Sequence, residues 1–165
     1  DAAFLITAFV TLFVIIDPIG MTPLFVALTQ GMSPARRRAI ALRACVTSAL
    51  ILIVFAAFGE QVLGFIGISM PAFRIAGGIL LFLTALDMLF ERRSKRRQGQ
   101  AEEAEDEDDN DDPSIFPLAI PLIAGPGAIA SVILLAGQRP HLEGLAMVIG
   151  VMLSVIAMVF VLFLT

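Results

Sequence analysis

The segment that most constrains this chain is residues 17–23, Asp-Pro-Ile-Gly-Met-Thr-Pro, inside the otherwise uncharged apolar run Ala2–Leu28. At about 1.5 Å per helical residue, such a run is long enough to cross a bilayer core of about 30 Å. Proline lacks an amide donor, and Pro18 also disfavours helical geometry at Asp17. Broken backbone is tolerated at membrane depth only where protein covers it or where it lines a wet cavity. We therefore expect a helix break at a functional site.

The composition excludes an ordinary soluble domain. Hydrophobic residues make up 58% of the chain and charged residues 16%, against roughly 45–50% and 25% in soluble globular proteins. Apolar runs of membrane-span length recur, which predicts an all-α polytopic membrane protein in contact with the lipid bilayer. The single cysteine, Cys45, favours a buried apolar role over redox or metal chemistry. The acidic net charge gives no reason to expect a nucleic-acid partner.

The pattern predicts five spans, with the first and fourth interrupted. They cover residues 2–28, 34–59, 71–91, 115–135 and 145–164, and residues 60–70 form an amphipathic connection. We assign residues 1–91 to a first three-span repeat, 92–113 to a charged cytoplasmic loop expected to be disordered, and 114–165 to a truncated second repeat. A sixth span is expected beyond Thr165.

Lysine and arginine counts predict the orientation. The loops after spans 1 and 3 hold four and five basic residues, whereas those after spans 2 and 4 hold one each. Basic loops stay on the cytoplasmic side. We therefore expect a multi-pass membrane protein with cytoplasmic basic loops and its N-terminus outside.

The two interrupted spans resemble each other. Pro18 and Pro126 each open a Pro/Gly-containing interruption, and each is followed by a short apolar segment, a Gly/Gln turn and a further proline, Pro34 or Pro140. Because three is an odd number of spans, the second unit would be inverted relative to the first. Interrupted helices at matching places in two inverted halves indicate the substrate site of a secondary transporter. Simple proline kinks in two membrane helices are the alternative.

Three blocks carry a resemblance to a known family. Residues 17–25, 73–78 and 121–129 resemble, in the same order, signature blocks of the MarC family of prokaryotic inner-membrane proteins. The resemblance implies six spans, a relation to SnatA-type neutral amino acid transporters and to LysE-type exporters, and small neutral amino acids as substrates. The chain departs from the family in lacking the sixth span and in its unusually acidic loop.

The interrupted spans predict a site for a zwitterion. Thr22 would cap, and Pro23 would begin, a half-helix at the first interruption, and Gly125 and Pro126 would do the same at the second. Such helix ends attract a carboxylate, while freed carbonyls of residues 14–16 and 123–124 would bind an ammonium group or a cation. Gly20, Gly125 and Gly127 would allow close approach of a ligand. Methyl groups of Ile19, Ala124 and Ala128 would keep the pocket small.

Asp17 is the strongest single candidate for a functional residue. A charge at mid-bilayer costs about 2.5–3.5 kcal/mol on insertion scales, so intramembrane acids usually serve a function. Asp17 would bind the substrate amine or exchange a coupling proton. Capping of backbone amides near the cytoplasmic interface is the alternative. Ser131 would line the cavity or pack, and Arg74 would act as a gate, form a structural pair or extend to the interface.

These features predict a secondary transporter of glycine- or alanine-sized neutral amino acids working by alternating access. H⁺ and Na⁺ are the candidate coupling ions, and a homo-oligomer is a candidate assembly. A channel-like pore and a non-transporting accessory membrane protein are the alternatives. We expect no cofactor, no metal site and no enzymatic activity, since no catalytic set or metal-ligand cluster is evident, and the acidic run lacks EF-hand spacing.

Overall fold

The computed structural model describes residues 1–106 and 112–165. Its described part is helical and contains no β-strand. The helices are α1 (Ala2–Ile16), α2 (Pro18–Leu28), α3 (Pro34–Ile66), α4 (Met70–Leu89), α5 (Arg92–Asp106), α6 (Pro126–Gln138) and α7 (Leu142–Leu164). An irregular helical segment, Ser114–Ile123, precedes α6 and contains cis peptide bonds before Pro117 and Pro121.

Length and composition identify the candidate membrane spans. In the described ranges, four stretches qualify, namely Ala2–Leu28, α3, α4 and α7. The segment Ser114–Ile123 and α6 qualify only as a pair, bent by 56°. The prediction of five spans, with the first and fourth interrupted, is therefore matched only loosely, by four candidate spans and one bent pair.

Serine caps and prolines set two of the helix starts, as the sequence suggests. Ser33 accepts a hydrogen bond from the Arg36 amide at 3.2 Å, and Ser69 accepts one from the Ala72 amide at 3.3 Å. The predicted end of the second span at Gly59 is wrong, because α3 continues to Ile66. A glycine inside a helix lowers its stability without stopping it, and α3 ends only where Gly67 adopts a φ of 101°.

The charged segment after α4 is also more ordered than predicted. Its first part, expected as a loop, forms helix α5. Contacts with α2, α4 and the segment Ser114–Ile123 hold α5 against the bundle. The core of the acidic run, residues 107–111, lies outside the described residues, so its disorder stays a prediction.

The core forms around α7 and α6. Helix α7 packs on α1, α2 and α3, and the rings of Phe25 and Phe163 stack at a centroid distance of 4.2 Å. Small residues let α6 approach its neighbours: a Cβ added at Gly59 would lie 2.6 Å from Cγ1 of Ile133, and one at Gly77 would lie 3.0 Å from Cδ1 of Leu134. Such close approach is typical of membrane helices.

An ion pair connects the residues that follow the acidic run to helix α3. Arg43 of α3 pairs with Asp112, whose carboxylate also accepts a hydrogen bond from the Ser114 amide at 3.0 Å. Partial burial opposes ionisation of Asp112. The hydrogen bond from the Ser114 amide and the charge of Arg43 outweigh it and hold the pKa of Asp112 below its usual value.

We expect Asp112→Asn to lower the free energy of unfolding at pH 7 by about 0.2–1 kcal/mol, the range for partly exposed ion pairs. A carboxyl whose pKa is lowered by folding stabilises the fold above its unfolded pKa of about 3.9 and loses that effect as the pH falls further. Thermal unfolding in detergent from pH 7 to pH 3 should therefore show the two proteins converging. A gap that persists at pH 3 would contradict the ionic origin, and Glu60→Gln, on an exposed carboxylate in the interior of α3, is the control.

Candidate functional site

One residue separates α1 from α2. Asp17 has φ 57° and ψ 69°, a left-handed conformation that Asp and Asn tolerate better than most side chains. Its carboxylate accepts a hydrogen bond from the Gly20 amide at 3.1 Å, and Pro18 occupies the first position of α2. Asp17 thus ends one helix and caps the next, an arrangement that we call the Asp17 junction.

The prediction of a half-helix capped by Thr22 and begun by Pro23 is wrong. Helix α2 begins five residues earlier, at Pro18, because the Asp17 carboxylate and Pro18 already satisfy the requirements of a helix start. Thr22 instead donates its hydroxyl to the Pro18 carbonyl at 2.9 Å. Pro23 lies inside α2 and is exposed.

Gly20 is the position where the Asp17 junction needs a glycine. A Cβ at Gly20 would lie 2.2 Å from Oδ2 of Asp17. That contact is far too short, so any larger residue would displace the carboxylate. Gly20 therefore holds Asp17 in place and does not itself line the cavity described below.

The bent pair forms a second junction, which we call the Gly125 junction. Gly125 precedes α6, Pro126 is the first residue of that helix, and no side chain caps the helix start. The amides in the first turn of any helix lack intrahelical partners, and those of α6 have no side-chain partner either. A Cβ at Gly125 would lie 2.5 Å from the Pro121 carbonyl oxygen, so the bend requires glycine there.

The two junctions lie side by side. Ile15, beside the Asp17 junction, approaches Gly127 so closely that a Cβ there would be 3.6 Å from two carbons of the isoleucine side chain. A cavity of about 200 Å³ opens between Ile15, at the end of α1, and the Gly125 junction. Asp17, Thr22 and Pro23 do not line it. Its lining includes Gly125, Pro126, Gly127 and Ala128 of the Gly125 junction, Thr84 of α4, and Arg93, Arg96 and Arg97 of α5.

Two arginines of α5 complete the Asp17 junction. Arg93 donates to the carbonyls of Val14, at 3.4 Å, and Ile15. Arg97 donates to the Ile16 carbonyl at 3.2 Å and to the Asp17 carboxylate at 3.3 Å. The carbonyls predicted to hold a ligand's cation thus hold the guanidinium groups of the chain itself.

Burial shapes the electrostatics of these arginines. Burial, followed by the charge of Arg93, lowers the pKa of Arg97 to about 10, although Asp17 opposes the shift. Burial also lowers the pKa of Arg93, again against the charge of Asp17. A pKa of about 10 leaves Arg97 protonated at pH 7, so its contacts are charge-assisted hydrogen bonds.

The remaining predicted residues lie away from the cavity. Ser131 is buried on α6, and its hydroxyl has no hydrogen-bond partner among the described residues. Arg74 is exposed on α4, several turns before Thr84. The expectation that Ile19 lines the pocket is wrong, because its side chain is 67% exposed, opposite the buried face of α2. In residues 1–106 and 112–165, no His, Cys, Asp or Glu cluster could hold a metal ion.

Sequence reasoning missed the role of α5. It treated Arg93 and Arg97 only as topology signals in a basic loop. Their spacing of four residues places both on one helical face. This spacing is the one feature of the sequence that indicates a shared role for the two arginines. Nothing local shows that this face meets carbonyls some 80 positions earlier in the chain.

Spans, buried junctions and apolar outer faces together define a polytopic α-helical integral membrane protein. The profile of the MarC family, described as integral membrane proteins, matches residues 2–165. The chain therefore belongs to the MarC family.

Three relatives illustrate the match. The UPF0056 membrane protein YvbG of Bacillus subtilis is 36% identical over 98% of this chain and 76% of its own length. The UPF0056 inner membrane protein YhgN of Escherichia coli K12 is 38% identical over 85% and 68%. A UPF0056 membrane protein of Archaeoglobus fulgidus is 42% identical over 82% and 63%, so this chain spans less than two thirds of that relative. No solved structure matches the chain.

The Gly125 junction gives a direct steric prediction. Gly125→Ala should destabilise the protein by about 1–3 kcal/mol, because the added methyl group meets the backbone carbonyl of Pro121, which cannot rotate away as a side chain can. Thermal unfolding in detergent measures the effect. The control is Gly78→Ala, where a Cβ meets nothing within 4 Å. Equal stability of the two variants would contradict the described bend.

Proposed function

We propose that the protein is a secondary transporter of small neutral amino acids, of glycine or alanine size, acting by alternating access in the prokaryotic inner membrane. The observation that carries the proposal is the cavity beside the Gly125 junction, which Ile15 at the end of α1 and the arginines of α5 also line. Irregular backbone inside a membrane protein is tolerated where it lines a cavity or is covered by protein. Secondary transporters place their substrate sites at such helix interruptions.

The two junctions offer complementary charges. The start of α6 presents uncapped amides and the positive end of a helix dipole, which attract a carboxylate. The end of α1 presents carbonyl oxygens and the Asp17 carboxylate, which attract a cation. A zwitterionic amino acid carries both groups. The cavity of about 200 Å³ is smaller than the roughly 300–1,000 Å³ typical of drug-sized ligands.

The matched junctions support an inverted repeat. Pro18 and Pro126 each occupy the first position of a short helix of 11 and 13 residues. We infer two three-span units of opposite orientation, each with an interrupted first helix, whose relative rocking would expose the cavity to either side. The N-terminus would then be outside and the basic segments cytoplasmic.

A proteoliposome assay tests the proposal. The purified protein is reconstituted and loaded with glycine, alanine or serine, and counterflow of the labelled amino acid is measured at several pH values. Saturable, stereoselective counterflow supports a transporter. Ohmic single-channel currents would instead indicate a pore. If no amino acid moves at any pH or ion gradient, the proposal is wrong, and the alternative of a non-transporting accessory membrane protein replaces it.

Asp17→Asn isolates the role of the charge. Asparagine keeps both the capping ability and the tolerance for a left-handed backbone, so α1 and α2 should stay in place. We expect amino acid uptake to fall at least tenfold, equivalent to about 1.4 kcal/mol, and its pH dependence to flatten. Initial uptake rates from pH 5 to pH 8 measure both effects.

The matched control for Asp17→Asn is Glu143→Gln, which removes an equal charge from an exposed position at the start of α7. Its uptake should equal that of the unmodified protein. Unchanged rates and unchanged pH dependence in Asp17→Asn would remove Asp17 from the mechanism.

A further inference from the structure

The end of α1 carries three carbonyls without backbone donors. The last turn of any helix leaves its carbonyls unpaired. Here Pro18 has no amide to offer Val14, and the Gly20 amide, the regular partner of Ile16, bonds to the Asp17 carboxylate instead. Three backbone acceptors therefore converge with one carboxylate on the same side of the Asp17 junction.

Helix α5 supplies a donor for each of these acceptors. Arg93 bonds to Val14 and Ile15, and Arg97 bonds to Ile16 and Asp17. The same two side chains border the cavity. The acceptors predicted for the amino group of a substrate are thus already occupied by guanidinium groups.

The contacts that hold this helix in place are mainly polar and include an ion pair between Arg96 and Asp87 of α4. Among its residues with described side chains, only Arg97, at 7%, and Ala101, at 4%, are buried. Apolar burial therefore contributes little, and charge-assisted hydrogen bonds contribute most of the docking energy. A helix held in this way can be displaced by a competing cation.

We propose that the carbonyls of residues 14–16 and the Asp17 carboxylate form a cation site that the arginines of α5 and the amino group of a substrate occupy alternately. With α5 docked, Arg93, Arg96 and Arg97 form one wall of the cavity. Undocking of α5 would open that wall. A ligand that binds only the undocked form shifts the population toward it. This inference rests on the proposed function, because it names the gate of the same site.

A buried thiol on α5 reports the undocking. In a Cys45→Ala background, Ala101→Cys places the only thiol on the buried face of the helix. Protein in nanodiscs is treated with a maleimide, and the labelling rate follows the open population when opening is fast relative to modification. Arg93→Gln with Arg97→Gln should raise this rate at least tenfold, since the double variant removes four charge-assisted hydrogen bonds.

The control variant is Lys95→Gln, which removes one charge from an exposed position on the same helix. Its labelling rate should match that of the parent. An Arg93/Arg97 variant that labels no faster than the parent would overturn the gate, as would a Lys95 variant that labels as fast as the arginine variant.

A competing cation tests the site without altering the arginines. Methylguanidine, which carries several N–H donors, should accelerate labelling of the Ala101→Cys protein, whereas tetramethylammonium at equal concentration, which has none, should not. Equal rates in the two salts would overturn the shared site. This readout needs no transport, so an absence of amino acid counterflow would refute the proposed function while the labelling result stands by itself.

Discussion

Backbone hydrogen bonding at the Asp17 junction governs the arrangement of this protein. A carbonyl buried away from water without a donor destabilises a fold, and a helix that ends inside a membrane protein leaves several such groups. Asp17 satisfies a backbone group at the start of α2, since its carboxylate accepts a hydrogen bond from the Gly20 amide. The acceptors at the end of α1 need donors from elsewhere, and Arg93 and Arg97 supply them. The position of α5 thus follows from the junction.

Much of the fold could be predicted from local sequence. Apolar runs show the spans, and Ser33 and Ser69 mark helix starts through caps that depend on a single turn. The end of α3 and the existence of α5 could not be read in this way. A glycine such as Gly59 weakens a helix without ending it, and a polar helix such as α5 gains its stability from contacts with the rest of the chain.

The candidate site, too, could be predicted only where its residues carry a local sequence signal. Gly125, Pro126 and Gly127 are visible in the sequence because a cluster of glycine and proline residues marks irregular backbone. Thr22 and Pro23 predicted a wrong helix start, because several capping signals lie close together and α2 begins at Asp17 and Pro18. Arg93 and Arg97 could not be assigned, because their partners lie 78 to 81 residues away in the chain.

The two junctions differ in how their backbone groups are satisfied. At the Asp17 junction, every freed acceptor of α1 meets an arginine, whereas at the Gly125 junction no side chain caps the amides of α6. A helix start left uncapped beside a cavity is available for an anionic group, while the negative end is already balanced by an internal cation. A zwitterion would therefore meet an open site for its carboxylate and a contested site for its amine. Such an asymmetry would let carboxylate binding come first and displacement of α5 follow.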